Sequence, residues 1–218
     1  MVVDNLFGKG VYTPKMALQL TGAKVHRTNR LLFGDDRYEP VWTPEIKVEG
    51  EKVFSFKDLM EIRAIQFFAK SVSLQKIRKA REIFVEELNT DFPFSSGLIS
   101  TDGKSLLFKE ACEDVFSGQQ NAEVLIKDSL LDVEFGDGNT PSQWWVEGRS
   151  KGIVLNPKRH FGRPIDDETG IATNAIYLRY LVNENDQDTA DYFDIPLSAV
   201  TNACAFEKYL LRTHETVH

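Results

Sequence analysis

Thr13–Gly34 reads TPKMALQLTGAKVHRTNRLLFG, and the rest of the chain is best understood outward from it. Thr13 can cap a helix, and Pro14 suits the first turn, where a missing N–H costs nothing. Met16, Ala17, Leu18 and Leu20 give this short helix an apolar side, and Thr21-Gly22 breaks it. A second helix, over about Lys24 to Phe33, turns Val25, Leu31 and Leu32 inward and Lys24, His26, Arg27, Asn29 and Arg30 outward. Gly34 ends it, as a residue free to adopt positive φ commonly does. Two short helices joined across a glycine-containing turn form the helix-turn-helix pattern.

Lys15, Lys24, Arg27 and Arg30 are the formal charges of this stretch, so it carries +4 inside a chain of net charge −7. Residues 1–90 hold 15 basic and 12 acidic residues, whereas 91–218 hold 11 and 21, which suggests different partners for the two halves. Binding a phosphate backbone requires positive potential on one face, not a basic protein as a whole. Arg27, Asn29 and Arg30 are residue types that pair with base edges, while Lys15 and Lys24 would hold the backbone. An ordinary helical hairpin with a solvated basic face is the competing reading.

Downstream, Trp42, Ile46, Val48, Val53 and Phe54 predict two short strands around Glu49-Gly50, a wing beside the helices. Arg37, Lys47 and Lys52 would reach phosphates from it, against the opposing charge of Glu39, Glu45, Glu49 and Glu51. Ser55 with Asp58 three residues on is a shortened capping box, opening a helix apolar around most of its circumference and therefore central to a domain. Leu74, Ile77, Ala80, Phe84 and Leu88 recur at helical spacing and predict an amphipathic helix over 74–88. Lys70, Lys76, Arg78, Lys79 and Arg81 make its front end basic, either as a solvated face or as a second phosphate-contacting surface.

The pattern then turns to strands. Leu98–Thr101 and Leu106–Phe108 flank Asp102-Gly103, a hairpin dipeptide, and apolar stretches follow at 122–126 and 130–135. Trp144 and Trp145 suit an interface or a core edge, with ligand stacking as a weaker option. In the last third a strand over Ile153–Leu155 and a loop-rich entry lead to three short helices: one capped by Thr173, one over 188–193, and one over 199–211 capped by Ser198. Asp186, Asp188, Asp191 and Asp194 make this second helix-turn-helix-like unit a poor match for phosphate and a better one for self-association or a protein partner. The expected architecture is α+β and mainly α. It comprises a winged helix-turn-helix over 1–90, a β-containing middle over 91–148 and a three-helix domain over 149–218.

Composition places the chain among ordinary globular proteins: 42% of residues are hydrophobic, 27% are charged, and fifteen are phenylalanines. No stretch approaches the roughly 18 apolar residues of a membrane span, and the front carries no secretory pattern, so a cytoplasmic protein is expected. Cys112 and Cys204 form no metal or disulfide motif. None of His26, His160, His214 and His218 falls in an H-E-x-x-H pattern, and only His214 and His218 are spaced within helical reach of each other. Glycine-rich phosphate loops and nucleophile elbows are absent. No catalytic residue, metal or cofactor is expected. A module that binds double-stranded DNA remains, and because one helix-turn-helix offers little surface, a homodimer is expected.

Residues 153–210 resemble the bacterial domain of unknown function family 433, through Leu155-Asn156-Pro157, Phe161–Pro164, Gly170–Thr173 and Ser198–Ala203. Residues 11–86 resemble the winged helix-turn-helix of MerR-like regulators, through Val11–Pro14, Ala17, Thr21-Gly22, Trp42, Ser55–Leu59 and Val72–Arg78. Their combination resembles the longer VapB-type antitoxins of bacterial type II toxin–antitoxin modules. That resemblance implies a repressor of its own operon that neutralises a PIN-type ribonuclease toxin, with the acidic rear half facing the toxin. A DNA-binding regulator without a toxin partner, and a small-molecule sensor, are the alternatives.

Overall fold

A computed structural model describes residues 6–70, 72–99 and 128–215. Its helices are α1 (Pro14–Thr21), α2 (Val25–Leu32), α3 (Phe56–Phe68), α4 (Leu74–Leu88), α5 (Thr173–Tyr180), α6 (Asp186–Phe193) and α7 (Leu197–Glu215). Strands β1 (Val133–Phe135), β2 (Pro141–Trp145), β3 (Ile153–Leu155) and β4 (Ile165–Asp166) form one sheet in that order, with β2–β3 and β3–β4 antiparallel. The fold is thus mixed α+β and mainly helical: N-terminal helices, a central four-stranded sheet and a C-terminal helical bundle. The hairpin expected around Asp102-Gly103, the apolar stretch at 122–126 and Cys112 lie outside the described residues.

Two compact units make up the chain. One holds the described residues of Tyr12–Ser142; the other joins those of Asn5–Val11 to those of Gln143–His218. This division differs from the expected domain boundaries at 90/91 and 148/149. The reason lies in the packing: the Phe94 ring lies edge-on against Phe68 and Phe84, at 5.1 and 6.0 Å, so the chain past 90 completes the core of the N-terminal helices.

In the first unit, local chemistry sets the helix ends. Thr13 caps α1 by accepting from Met16 N at 3.3 Å, and Gly22 closes it at φ 73° with its N–H on Leu18 O. Tyr12 and Phe54 exchange both backbone hydrogen bonds, at 2.9 and 3.0 Å, and bury their rings completely, which ties the lead-in of α1 to the lead-in of α3. The capping box forms as the sequence predicts, with Ser55 and Asp58 bonded reciprocally. Asp58 does more than cap. Its buried carboxylate accepts from Trp42 Nε1 at 2.7 Å, Glu45 N at 3.1 Å, and Ser55 N and Oγ, both at 2.9 Å. Burial raises its pKa, opposed first by the Trp42 bond and then by those from Ser55 and Glu45. Asp58→Asn turns an amide N–H₂ toward these donors, and we expect a loss of about 2 kcal/mol of stability, read as a lowered denaturant midpoint at unchanged slope.

The second unit holds two apolar clusters. Trp145, Val154 and Ile165 pack with Ala172; Ile176, Ala190, Val200, Ala203 and Cys204 fill the three-helix bundle of α5, α6 and α7. Two expected caps shift. Ala172, not Thr173, precedes α5, because the Thr173 hydroxyl is bound to Glu207 of α7 at 2.5 Å. The last helix starts at Leu197, so Ser198 lies inside its first turn, and Asn185 caps an α6 that begins two residues earlier than expected.

Candidate nucleic-acid interface

Helix α2 packs through Thr28, Leu31 and Leu32, which are buried. Lys24 and His26 are exposed, and Arg27, Asn29 and Arg30 are half-buried. Lys15 on α1, Arg37 in the turn after α2 and Lys47 in the wing stretch are exposed. Arg27 and Arg30 are close enough to repel: partial burial first, and Arg30 second, lower the Arg27 pKa. Neighbouring guanidiniums at a surface give positive potential, which attracts anions. Asn29 is less well placed. Its Oδ1 is buried without a hydrogen-bond partner, so a bidentate base contact requires the side chain to turn over.

The turn after α2 is sharply defined. Gly34 has φ +70°, and a Cβ there would meet Tyr38 O at 2.7 Å, so this position needs glycine for conformation and for space. Asp35 Oδ1 accepts the N–H of Arg37 and of Tyr38, both at 2.9 Å, and Asp35 and Tyr38 form a bridge. The Tyr38 backbone is thereby held in the turn, and the residue is 46% exposed. The Arg30 guanidinium lies 4.7 Å from its ring centre and the Arg78 guanidinium 5.9 Å, and Arg78 also donates to Glu39 O at 3.0 Å. Sequence alone does not single out Tyr38; an aromatic in a polar Asp-Asp-Arg-Tyr turn is the available sign of it.

The wing is smaller than expected. Around Glu49-Gly50 a single bridge joins Val48 and Glu51, and Gly50 takes φ +79°. Upstream, Trp42 and Glu45 are tethered to Asp58 rather than paired in a ladder. Lys52 reaches back to within 5.7 Å of the Phe33 ring.

The basic front of α4 also needs correction. Lys70, Lys76 and Lys79 are exposed and Arg78 is half-buried, but Arg81 is buried. Arg81 lies over the Trp42 ring at 5.0 Å, donates to Asp91 O, and sits 3.6 Å from Glu61 Oε1, an ion pair beyond hydrogen-bond range. It belongs to the core and not to a phosphate surface.

Elsewhere the chemistry is structural. Buried Asp166 accepts from Thr169 N and Oγ1 at 2.9 and 2.7 Å, Asp167 pairs with Arg159 at 3.1 Å, and Glu168 is exposed, so the three adjacent acids do not converge. Among the described residues no group of three or more His, Cys, Asp or Glu is placed to hold a metal. Trp144 and Trp145 are 4% and 6% exposed, and the Arg149 guanidinium covers Trp145 at 4.0 Å. A small polar pocket is lined by Lys57, Phe92 and the 138–141 loop, with the Lys57 ammonium already paired to Glu45 at 3.0 Å. No helix among the described residues is long and apolar enough to cross a membrane.

Among solved structures, the crystal structure of Rv2018 from Mycobacterium tuberculosis matches with a TM-score of 0.72 at 18% identity, over 90% of this chain and 98% of that one. At that identity the likeness shows a common fold and nothing of activity. No protein-family model and no curated protein matches the chain.

Proposed function

We propose that the protein is a cytoplasmic, dimeric DNA-binding autorepressor and the antitoxin partner of a PIN-type ribonuclease toxin. The observation that carries the DNA-binding reading is the outward face of α2. His26, Arg27 and Arg30, with Lys24 at the N-cap, are displayed by a short helix anchored by Thr28, Leu31 and Leu32. The crowding of Arg27 against Arg30 favours an anionic partner. Phosphate contacts from Lys15, Lys24, Arg37 and Lys47 would supply salt-dependent affinity, and Arg27 and Arg30 would read base edges.

The antitoxin reading rests on the resemblance to VapB-type proteins and on the character of the second unit. Its helices and the turns that follow them expose Asp188, Asp191 and Asp194 together with Leu178, Val182 and Tyr192, a mixture suited to a protein surface and ill suited to phosphate. A sensor built on Trp144 or Trp145 is disfavoured by the burial of both rings. An electrophoretic shift on the DNA upstream of the protein's own gene tests repression. Co-purification with the product of an adjacent short gene tests the toxin partnership. A shift without a co-purifying partner would leave a DNA-binding regulator; neither would end the proposal.

A further inference from the structure

We propose that Tyr38 is a positioning residue that joins Arg30 of α2 and Arg78 of α4 into one two-arginine clamp for a DNA phosphate beside the groove that α2 enters. The inference rests on the DNA-binding reading and extends the interface to a second helix. Arg30 and Arg78 are 48 residues apart in sequence, yet both guanidiniums lie against one ring, at 4.7 and 5.9 Å. Two cations gathered around one exposed ring give this surface positive potential, which suits a partner carrying negative charge. The ring face offers each cation some attraction. The Glu39 carbonyl takes one Arg78 N–H and Arg78 Nε is buried, so the terminal Nη groups are the ones left for a ligand.

The backbone around Tyr38 fits a positioning role. Gly34 admits the close approach of Tyr38 O, and Asp35 accepts the N–H groups of Arg37 and Tyr38, so the backbone from which the ring projects is fixed in the turn. A phosphodiester is the ligand this arrangement suits: guanidinium N–H groups from two helices can each bond one of its free oxygens. Arg81, three residues beyond Arg78, is committed to Glu61 and Asp91, so α4 brings Arg78 alone of its two arginines to the clamp.

Fluorescence anisotropy of labelled upstream duplex, titrated from 50 to about 200 mM salt, separates the possibilities. Arg78→Ala is expected to weaken binding roughly tenfold on every sequence and to reduce the magnitude of the log–log salt slope by about 1. Tyr38→Leu is expected to weaken it further and to lower the preference for upstream over scrambled DNA, because Arg30 is released as well. Tyr38→Phe, which keeps the ring, should behave as the parent. All three variants alter surface side chains, and thermal melting of each checks that the fold persists. Parent-like slopes in both Arg78→Ala and Tyr38→Leu, with the parent still binding, would overturn the clamp and leave the α2 reading standing. Tyr38→Phe as weak as Tyr38→Leu would also overturn it, since the hydroxyl rather than the ring would then be responsible. A parent that binds no duplex would remove both.

Discussion

Glu61→Ala is expected to destabilise the first unit by about 3–5 kcal/mol at neutral pH and above, the range for removing one partner of a buried ion pair. Glu61 is fully buried in the middle of α3. Its carboxylate accepts from Phe94 N at 3.3 Å and Ser95 N at 2.9 Å, with Arg81 Nε 3.6 Å away. Alanine leaves those two N–H groups without their acceptor and a buried guanidinium without its counter-charge, while Arg81 keeps the Asp91 carbonyl and the Trp42 ring. Denaturant unfolding measures the loss. A change under about 1 kcal/mol, no more than one ordinary hydrogen bond contributes, would mean that Glu61 does not hold the 92–96 segment onto α3.

Burial, resisted chiefly by Arg81, pushes the Glu61 pKa up to about 7. The folded state therefore holds this proton more tightly than the unfolded chain, where a glutamate titrates near about 4.3. Between those values the folded protein binds more protons, so this group's contribution to stability falls as pH rises from about 4.3 to about 7 and is level beyond. Expressed through the shift, that decline is on the order of 3–4 kcal/mol. Glu61→Gln cannot titrate. The difference in unfolding free energy between parent and Glu61→Gln should move in the parent's disfavour over that window and stay constant from about pH 7.5 to about pH 9. A difference independent of pH would contradict the assignment.

The second large effect concerns binding. Replacing Arg27 and Arg30 together by alanine is expected to lower affinity for upstream duplex at least about 100-fold while leaving thermal unfolding close to that of the parent. Both side chains are on the open side of α2, clear of the Thr28, Leu31 and Leu32 contacts that hold the helix. Two arginines reading base edges are each worth about 1–3 kcal/mol of discrimination, and each lost phosphate-range charge also flattens the salt slope. The variant loses the contact of Arg30 with the Tyr38 ring, worth about 0.5–1 kcal/mol at an exposed site, and is relieved of the Arg30–Arg27 repulsion. A double variant that unfolds with the parent and binds like it would show that the recognition surface lies elsewhere.

Much of the first unit is legible in sequence because its determinants are local. Thr13, Pro14 and Gly22 bound α1, Ser55 and Asp58 open α3, and α4 runs from Leu74 to Leu88 as its apolar spacing predicts. What sequence conceals depends on residues far apart in the chain. Arg81 stands in a run of surface cations and folds inward because Glu61, twenty positions earlier, demands a counter-charge. The wing shrinks to one bridge because Asp58 captures Trp42 and Glu45, residues that alternation alone would assign to a strand. The Thr173 hydroxyl satisfies Glu207 across the bundle instead of capping its own helix. The candidate site divides in the same way. The basic face of α2 can be read from spacing, whereas the meeting of Arg30 and Arg78 on Tyr38 cannot.

Binding of the intact protein to its own upstream duplex, followed as a function of salt, tests the DNA-binding reading most directly. The expected result is a specific complex whose log affinity falls linearly with log salt, with a slope equivalent to several released counterions and an affinity tighter than that for scrambled DNA. An affinity that ignores salt, or no complex at about 50 mM salt, would contradict it.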